Sequence, residues 1–127
     1  MNVAPIGSVR TPFDDHDEAP RQGIERDVEG RVELDPAYAD GLAGLSPGDP
    51  LIGVWFADRA NRSTLLLDRD PPRGVFTTRS QDRPNPICLT GTVVTHVDGR
   101  IVHVRGVDML DGTPVLDLKP PLDRDAD

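Results

Sequence analysis

Prolines and glycines interrupt this chain along its whole length, with 13 prolines and 12 glycines among 127 residues. Because proline breaks a helix and glycine weakens one, the chain has little room for a long helix. The apolar segments between them are short and contain many β-branched residues, which is typical of strands. Roughly six to eight strands separated by turns favour an all-β barrel or sandwich.

The apolar segments define where the strands are expected. The run at 51–57 is continuous, which predicts a strand buried on both faces, while Glu29-Gly30 predicts a turn inside 27–34. Asp98-Gly99 stands between two β-branched runs and predicts a hairpin with a type I′ turn. The segments that read as strands are 3–11, 27–34, 51–57, 63–67, 75–78, 87–97 and 100–110. One short helix is predicted within 35–45, with Asp35 as its N-cap and Pro36 at its first position.

Length, charge and cysteine content limit the class of protein. The length predicts a single domain over residues 1–127, with a core from about 4 to 120 and a frayed tail at 121–127. Cys88 is the only cysteine, so a multi-cysteine metal site is not expected. No apolar stretch approaches the roughly 18 residues of a membrane span, which favours a soluble, cytoplasmic protein without a membrane partner.

The formal net charge of −8 bears on the partners of the protein. A chain this acidic is repelled on average by nucleic acid, so RNA binding would need a local arginine patch. A salt-adapted source would explain the acidity without any consequence for the substrate.

The stretch TTRSQDRPNPICLTG, residues 77–91, is the most unusual in the chain. Arg79 and Arg83 carry planar guanidinium groups that suit carboxylate or phosphate. Pro84 and Pro86 restrict the backbone around Asn85, so its amide is held with little entropy left to lose. The stretch therefore predicts either recognition of a polar small molecule or a structural loop with solvated arginines.

Two further stretches carry polar groups in rigid surroundings. In EAPRQG, residues 18–23, a proline and a glycine bracket Arg21 and Gln22, although an ordinary surface turn has the same pattern. In DMLDGTPVLDLKP, residues 108–120, Asp111 and Thr113 are expected to cap backbone groups in a turn before a final strand. The alternative is a functional role, in which Asp108 or the backbone near 110 faces a ligand with a positive charge.

The remaining reactive side chains give weaker signals. His96 and His103 flank the hairpin and are expected to face each other, but with the distant His16 they make a poor zinc site, so no metal is predicted. Cys88 lies in an apolar run and is expected to be a small buried hydrophobe. The aromatic residues Trp55, Phe56 and Phe76 are expected in the core.

Taken together, PIGSVRTPF, EAPRQG, GVFTTRSQDRPNPICL and DMLDGTPVLDLKP resemble the TsaA-like, TrmO-type methyltransferase family in order and spacing. The resemblance covers about residues 4–120. It implies a small antiparallel β-barrel with short helices and long loops, a homodimer, and S-adenosyl-L-methionine as cofactor, bound near the subunit interface. The best-known activity of the family is N6-methylation of threonylcarbamoyl-adenosine 37 in tRNA.

The resemblance also implies roles for individual residues. Arg83, Asn85 and Pro86 match the family signature and are expected to shape the cofactor pocket or the acceptor site. Asp108 or Asp111 would accept a proton from the methylated nitrogen or offset the cationic cofactor. The residues that match cofactor-contacting positions are Pro20, Arg21, Gln22, Ala57, Asp58, Arg79, Leu89, Asp108, Met109, Leu110, Asp111 and Gly112.

Three positions depart from the family pattern, which usually has proline at Gln81, glycine at Cys88 and tyrosine at Pro121. The bacterial tRNA enzymes also carry a C-terminal extension. The sequence therefore leaves three alternative functions: methylation of tRNA, methylation of a small-molecule acceptor such as a specialised metabolite, and binding of S-adenosylmethionine as a sensor. A basic strip across the dimer would favour tRNA. The arginines expected to build it are Arg21, Arg59, Arg62, Arg79 and Arg83.

Overall fold

A closed barrel of six antiparallel strands forms the body of the protein in a computed structural model, which describes residues 1–14 and 27–122. The strands are β1 Gly7–Arg10, β2 Glu29–Leu34, β3 Pro50–Phe56, β4 Leu66–Leu67, β5 Arg73–Gly74, β6 Ile87–Asp98, β7 Ile101–Arg105 and β8 Pro114–Lys119. The barrel order is β1-β2-β7-β6-β3-β8, while β4 and β5 pair with each other in a separate small sheet. The predicted all-β barrel is confirmed.

Strand alternation places one set of side chains inside the barrel. Val9, Val32, Val102 and Val104 are each at most 5 % exposed, and Trp55 reaches the same core cluster from β3. Burying a side chain of this size contributes about 1.5–3 kcal/mol, so the interior drives closure of the barrel. Outward positions of the same strands carry arginine, glutamate and histidine.

Two strand predictions are wrong, one for the burial of β3 and one for a turn in β2. β3 is buried on one face only, because Leu51, Gly53 and Trp55 point inward while Ile52 and Val54 are half-buried on the outer face. Residues 29–34 form one unbroken strand with no turn at Gly30, because β2 pairs along its length with both β1 and β7. Turn propensity depends on a few neighbouring residues, whereas closure of the barrel places β1 and β7 on either side of β2. This pairing keeps β2 extended through Gly30.

The hairpin between β6 and β7 is confirmed, but its turn differs from the prediction. Asp98 pairs with Ile101, so Gly99 and Arg100 are the central residues, and only Gly99 has a positive φ, of 60°. Positive φ at the first central residue alone is the pattern of a type II′ turn and not of type I′.

Short 3₁₀ helices replace the predicted helix and one predicted strand. Pro36–Leu42 forms a 3₁₀ helix after Asp35, whose side chain makes no capping hydrogen bond. Val75–Thr77, predicted as extended, forms a second 3₁₀ helix that leads into the 77–91 stretch. Within the described residues, no helix is long and apolar enough to cross a membrane.

Candidate functional site

Three connections of the barrel, those that follow β1, β3 and β7, leave from one end, here called the loop end. β3 finishes at Phe56 opposite Ile87, where β6 begins, and β7 finishes at Arg105 opposite Glu29, where β2 begins. Of these connections the structure describes residues 11–14, 27–28, 57–86 and 106–113. Every site residue predicted from the sequence lies in one of these connections, except Leu89, which lies two residues into β6. Topology thus groups stretches that are distant in sequence.

Arg62 holds the Pro-Asn-Pro segment against the barrel. Its Nε donates to the Pro84 carbonyl at 2.8 Å and a terminal nitrogen donates to Asn85 Oδ1 at 3.2 Å. The guanidinium also lies 5.4 Å from the centre of the Phe56 ring, within cation–π range. The Ala57 backbone N–H donates to the Pro86 carbonyl at 2.9 Å, so the 57–62 and 84–86 segments form one unit.

The two arginines of the motif have different environments. A terminal nitrogen of Arg83 donates to the carbonyls of Val75 and Thr78, the latter at 2.9 Å, which folds the loop back on itself. Arg79 is exposed and makes no hydrogen bond or ion pair within residues 1–14 and 27–122. Arg83 therefore stabilises the loop, whereas the guanidinium of Arg79 is exposed to solvent.

Arg79 and Leu89 line a common cavity of about 940 Å³ on the outer face of β3, β6 and β8. Its other walls are mainly apolar, with Ile52, Val54 and Pro121 among them. Cationic and apolar groups in one concave site suit an organic ligand that carries an anionic group. Neither the 57–58 pair nor the 108–112 loop lines this cavity.

Asp108 is held by a chain of hydrogen bonds that begins in the barrel core. The indole N–H of Trp55 donates to the Thr90 hydroxyl at 3.0 Å, and that hydroxyl donates to Asp108 Oδ1 at 2.7 Å. Trp55 and Thr90 are each 5 % exposed, so the chain is shielded from water. Because the Thr90 hydroxyl accepts one hydrogen bond and donates another, it cannot rotate freely. Its donated bond therefore holds one carboxylate oxygen of Asp108 in place.

The 108–112 loop is bonded to the connection that follows β1. Asp111 Oδ1 accepts the backbone N–H of Thr11 at 3.0 Å, and the Thr11 hydroxyl donates to the Met109 carbonyl at 2.8 Å. Arg59 donates to the carbonyls of Asp14 at 2.9 Å and Asp111 at 3.4 Å. Arg59 thus joins all three connections at the loop end.

Sequence comparison identifies the family. Residues 8–125 match the family described as "tRNA-methyltransferase O N-terminal domain". The chain belongs to this family. The resemblance inferred from the four motifs is thereby confirmed.

Individual relatives differ in length and in the names they carry. The chain is 47 % identical over 125 residues to a probable S-adenosyl-L-methionine-binding protein of Halobacterium salinarum, covering 97 % of this chain and 100 % of that protein. It is 34 % identical over 131 residues to the tRNA (adenine(37)-N6)-methyltransferase of Escherichia coli, covering 92 % of this chain and 56 % of the enzyme. The crystal structure of TrmO from Pseudomonas aeruginosa superimposes with a TM-score of 0.80 at 32 % identity, covering 96 % of this chain and 55 % of that one.

The family positions on the 108–112 loop divide between core and surface. Met109 and Leu110 are 4 % and 6 % exposed and belong to the core, so their side chains are not accessible to a ligand. Asp111 and Thr113 do cap backbone groups, as the sequence predicted, since the Thr113 hydroxyl donates to the Leu110 carbonyl at 2.6 Å. Gly112 has φ 81°, a conformation that favours glycine.

The remaining residues that match cofactor-contacting positions of the family lie in the 57–58 pair and in the 18–23 stretch. Ala57 is buried and Asp58 is exposed directly after it. Pro20, Arg21 and Gln22 lie outside the described residues. Of the departures from the family pattern, Gln81 and Cys88 are half-buried and Pro121 lines the 940 Å³ cavity.

Cys88 is suited to packing and not to nucleophilic chemistry. Burial raises the pKa of its thiol to about 11, against a lowering by the charge of Arg83 and a further raising by that of Asp108. The thiol is therefore protonated near neutral pH. Its interpretation as a small hydrophobe is supported, although the side chain is half-buried and not fully enclosed.

Sequence reasoning missed the residues that organise the site. Thr90 received no role, although strand alternation from the buried Thr92 and Val94 places it inside the barrel, where a hydroxyl needs a partner. Arg59 and Arg62 were expected in a basic strip but donate to backbone carbonyls at the loop end. Phe76, expected in the core, is 80 % exposed because the 3₁₀ helix turns it outward, while Trp55 is in the core as predicted.

Proposed function

We propose that this protein is an S-adenosylmethionine-dependent methyltransferase that methylates N6 of threonylcarbamoyl-adenosine 37 in tRNA. The observation that carries the proposal is the match of residues 8–125 to the tRNA-methyltransferase O family. The position of the 57–58, 79–86 and 108–112 stretches in connections at one end of the barrel supports it.

The side chains of Arg79, Leu89 and Asp108 complement the chemical groups of S-adenosylmethionine. The cofactor has a carboxylate, an amino group and a cationic sulfonium, and it supplies an already activated methyl group. The exposed guanidinium of Arg79 suits the carboxylate, and Leu89 offers apolar surface in the same cavity. The carboxylate of Asp108 suits a cationic group or an N–H donor.

In this mechanism the main role of the protein is to align the acceptor with the methyl group of the cofactor. Direct displacement at a methyl group requires the attacking nitrogen, the methyl carbon and the leaving sulfur in line, and rigid binding supplies that geometry. When bound, S-adenosylmethionine would supply the methyl group to the acceptor nitrogen and leave as S-adenosylhomocysteine, and the nitrogen would have to lose a proton. We assign acceptance of that proton to Asp108, because the hydrogen bond from Thr90 fixes its orientation. We assign Asp111, which accepts from the Thr11 N–H, to holding the loop.

A homodimer would complete the site. The cavity of Arg79 and Leu89 and the loop that carries Asp108 do not share walls within one chain. Large apolar side chains are exposed in this cavity, in the 57–86 connection and at the start of β6, and their burial favours association. They are Leu65, Leu66, Phe76, Ile87, Leu89 and Leu122. We therefore propose that a second copy covers this face and brings its own loop end to the cavity.

The decisive experiment separates binding from transfer. Calorimetric titration with S-adenosylmethionine and S-adenosylhomocysteine tests the cofactor, and mass spectrometry of nucleosides after incubation with threonylcarbamoylated tRNA tests the acceptor. Cofactor binding followed by a 14 Da increase on the modified adenosine is expected. Absence of cofactor binding would refute the proposal as a whole.

A small-molecule acceptor is the second candidate, favoured by the net charge of −8. An acidic surface opposes RNA but admits a neutral or cationic metabolite. Cofactor binding without any methylation of tRNA, at several salt concentrations, would favour this candidate. Transfer to no acceptor at all would favour a sensor.

A further inference from the structure

The side-chain amide of Asn85 has its oxygen bonded to Arg62 and its nitrogen without a protein partner. Arg62 donates to Asn85 Oδ1 at 3.2 Å and, through Nε, to the Pro84 carbonyl at 2.8 Å. Because a guanidinium can only donate, the atom that faces it must be the amide oxygen. The two N–H donors of this exposed amide have no partner within residues 1–14 and 27–122. Arg62 therefore determines that the donor end of the amide is available to a ligand.

The backbone on both sides of Asn85 is fixed as well. Pro84 and Pro86 restrict rotation before and after it. The Ala57 N–H donates to the Pro86 carbonyl at 2.9 Å, and the Ile87 N–H donates to the Asn85 carbonyl at 2.7 Å. A polar group held in this way has little conformational freedom left to lose on binding. The amide is therefore preorganised for recognition.

Strand register places this amide at the rim of the 940 Å³ cavity. Val54 of β3 and Leu89 of β6 pair with each other, and both line the cavity. The next outward pair toward the loop end is Phe56 with Ile87, about 7 Å further along the strands. The Arg62 guanidinium lies 5.4 Å from the centre of the Phe56 ring. Arg62 and the amide that it holds therefore stand at the loop-end rim of the cavity.

The polar groups at this rim are mainly hydrogen-bond donors. Arg79 lines the cavity, and neither Arg62 nor Arg79 forms an ion pair in the part of the chain that the structure describes. Asp82 is the acidic residue nearest to Asn85 in the chain, and its Oδ1 accepts the Asn61 N–H at 2.9 Å. Guanidinium and amide N–H groups suit a carbonyl or carboxylate oxygen of a ligand.

We propose that Asn85, positioned by Arg62, recognises the threonylcarbamoyl group of the acceptor by donating to one of its oxygens. This group adds a carbonyl and a carboxylate that unmodified adenosine lacks. A site built to hydrogen-bond such a group discriminates against a substrate without it, because its own polar groups are then left unpaired. Asn85 is thus a specificity residue and Arg62 a positioning residue. The inference rests on the proposed function, which supplies the acceptor.

Asn85→Asp tests the donors, because it removes them and keeps the oxygen that Arg62 binds. The two side chains have nearly the same shape, and the carboxylate pairs with Arg62, so the melting temperature should not fall. Fluorescence anisotropy measures binding of labelled tRNA that carries or lacks the threonylcarbamoyl group. The unsubstituted protein should bind the modified tRNA about 10-fold more tightly, the scale of one hydrogen bond to a charged group. Asn85→Asp should lose most of this preference, and a variant that keeps it would refute the inference.

Asn61→Asp is the matched control, because it adds the same charge to the same 57–86 connection. Asn61 Oδ1 accepts the Ser63 N–H at 2.9 Å, a hydrogen bond that an aspartate can also accept. This variant should keep the preference for the modified tRNA. Loss of the preference in both variants would assign the effect to the added charge and refute the role of the Asn85 donors.

A double-variant cycle tests the positioning role of Arg62. Arg62→Gln should reduce the preference for modified tRNA several-fold when Asn85 is present. It should have no further effect in an Asn85→Ala background, because Arg62 acts through the amide. A role in the fold alone would give the same loss in both backgrounds. Additive losses, or no loss when Asn85 is present, would therefore refute positioning by Arg62.

Calorimetry with S-adenosylmethionine and mass spectrometry of nucleosides on the same proteins separate this inference from the proposed function. If the unsubstituted protein methylates the modified tRNA without binding it in preference to unmodified tRNA, the proposed function stands and the inference is refuted. If the preference depends on Asn85 but no cofactor binds, the methyltransferase proposal fails and the recognition stands. If Asn85→Asp lowers cofactor affinity and keeps the tRNA preference, its donors serve the cofactor carboxylate and the inference is refuted.

Discussion

The Thr90 hydroxyl donates to the Asp108 carboxylate at 2.7 Å. Because the same hydroxyl accepts the indole N–H of Trp55, the hydrogen bond connects the barrel core to the 106–113 connection. Thr90→Val should leave a buried N–H without a partner and lower the free energy of unfolding by about 1–3 kcal/mol. It should also weaken binding of S-adenosylmethionine, as measured by calorimetry, because Asp108 loses its orientation. Thr90→Ser keeps the hydroxyl and should retain both properties, whereas normal cofactor binding by the valine variant would show that Asp108 is positioned independently.

Arg79 and Arg83 should respond to substitution in opposite ways. Arg79→Ala removes an exposed guanidinium without a partner in the described part of the chain, so its melting temperature should stay unchanged. Its affinity for S-adenosylmethionine should fall about 10-fold, since a charge-assisted hydrogen bond contributes about 1.5–3 kcal/mol. Arg83→Ala should lower the melting temperature, because the Thr78 carbonyl loses the guanidinium donor and the Val75 carbonyl keeps only its two bonds from Thr78. Thermal scans measure the melting temperature of both variants, and calorimetry measures their affinity for S-adenosylmethionine. Normal cofactor binding by Arg79→Ala would contradict the prediction.

Gly7 is required where β1 and β2 approach each other. A Cβ atom at this position would lie 2.2 Å from the Glu33 carbonyl oxygen and 2.8 Å from the Leu34 Cα, both backbone atoms that cannot rotate away. Gly7→Ala should therefore separate the pair and destabilise the barrel by more than an ordinary surface change, which lies within about 0.5 kcal/mol. Gly41→Ala is the matched control, since a Cβ there has no neighbour within 4 Å. Urea unfolding of both variants measures the difference, and equal stability would disprove the steric argument.

The sequence predicted those features that depend on local chemistry. Gly99 marked the hairpin, and the 77–91 and 108–120 stretches marked the loop end, because their proline, glycine and aspartate patterns act within a few residues. The unbroken course of β2 and the exposure of Phe76 were missed because barrel closure and the 3₁₀ helix decide them. Thr90 was missed for the same reason, since its partners come from β3 and the loop after β7.

Cys88 should react slowly with alkylating reagents. Its pKa is raised to about 11 by burial, and the thiolate is the reactive form, so little of it exists at pH 8. The rate of iodoacetamide modification should be well below that of free cysteine at pH 8 and should rise up to about pH 11. Mass spectrometry over time gives the rate, with the urea-unfolded protein as control. Rapid modification of the folded protein at pH 8 would contradict the raised pKa.

Phe76 should control the association state of the protein. It is 80 % exposed next to the motif that carries Arg79, and exposure of so large an apolar group is explained if a second copy covers it. Phe76→Asp should place a charge in the proposed interface, so the proposed dimer should dissociate to monomer in sedimentation velocity. Tyr38→Asp, which substitutes an exposed aromatic residue on the 3₁₀ helix after β2, should leave the dimer intact. If the site needs both copies, the Phe76 variant should also lose affinity for S-adenosylmethionine. A monomeric variant that binds the cofactor as tightly as the dimer would show that one chain holds the whole site.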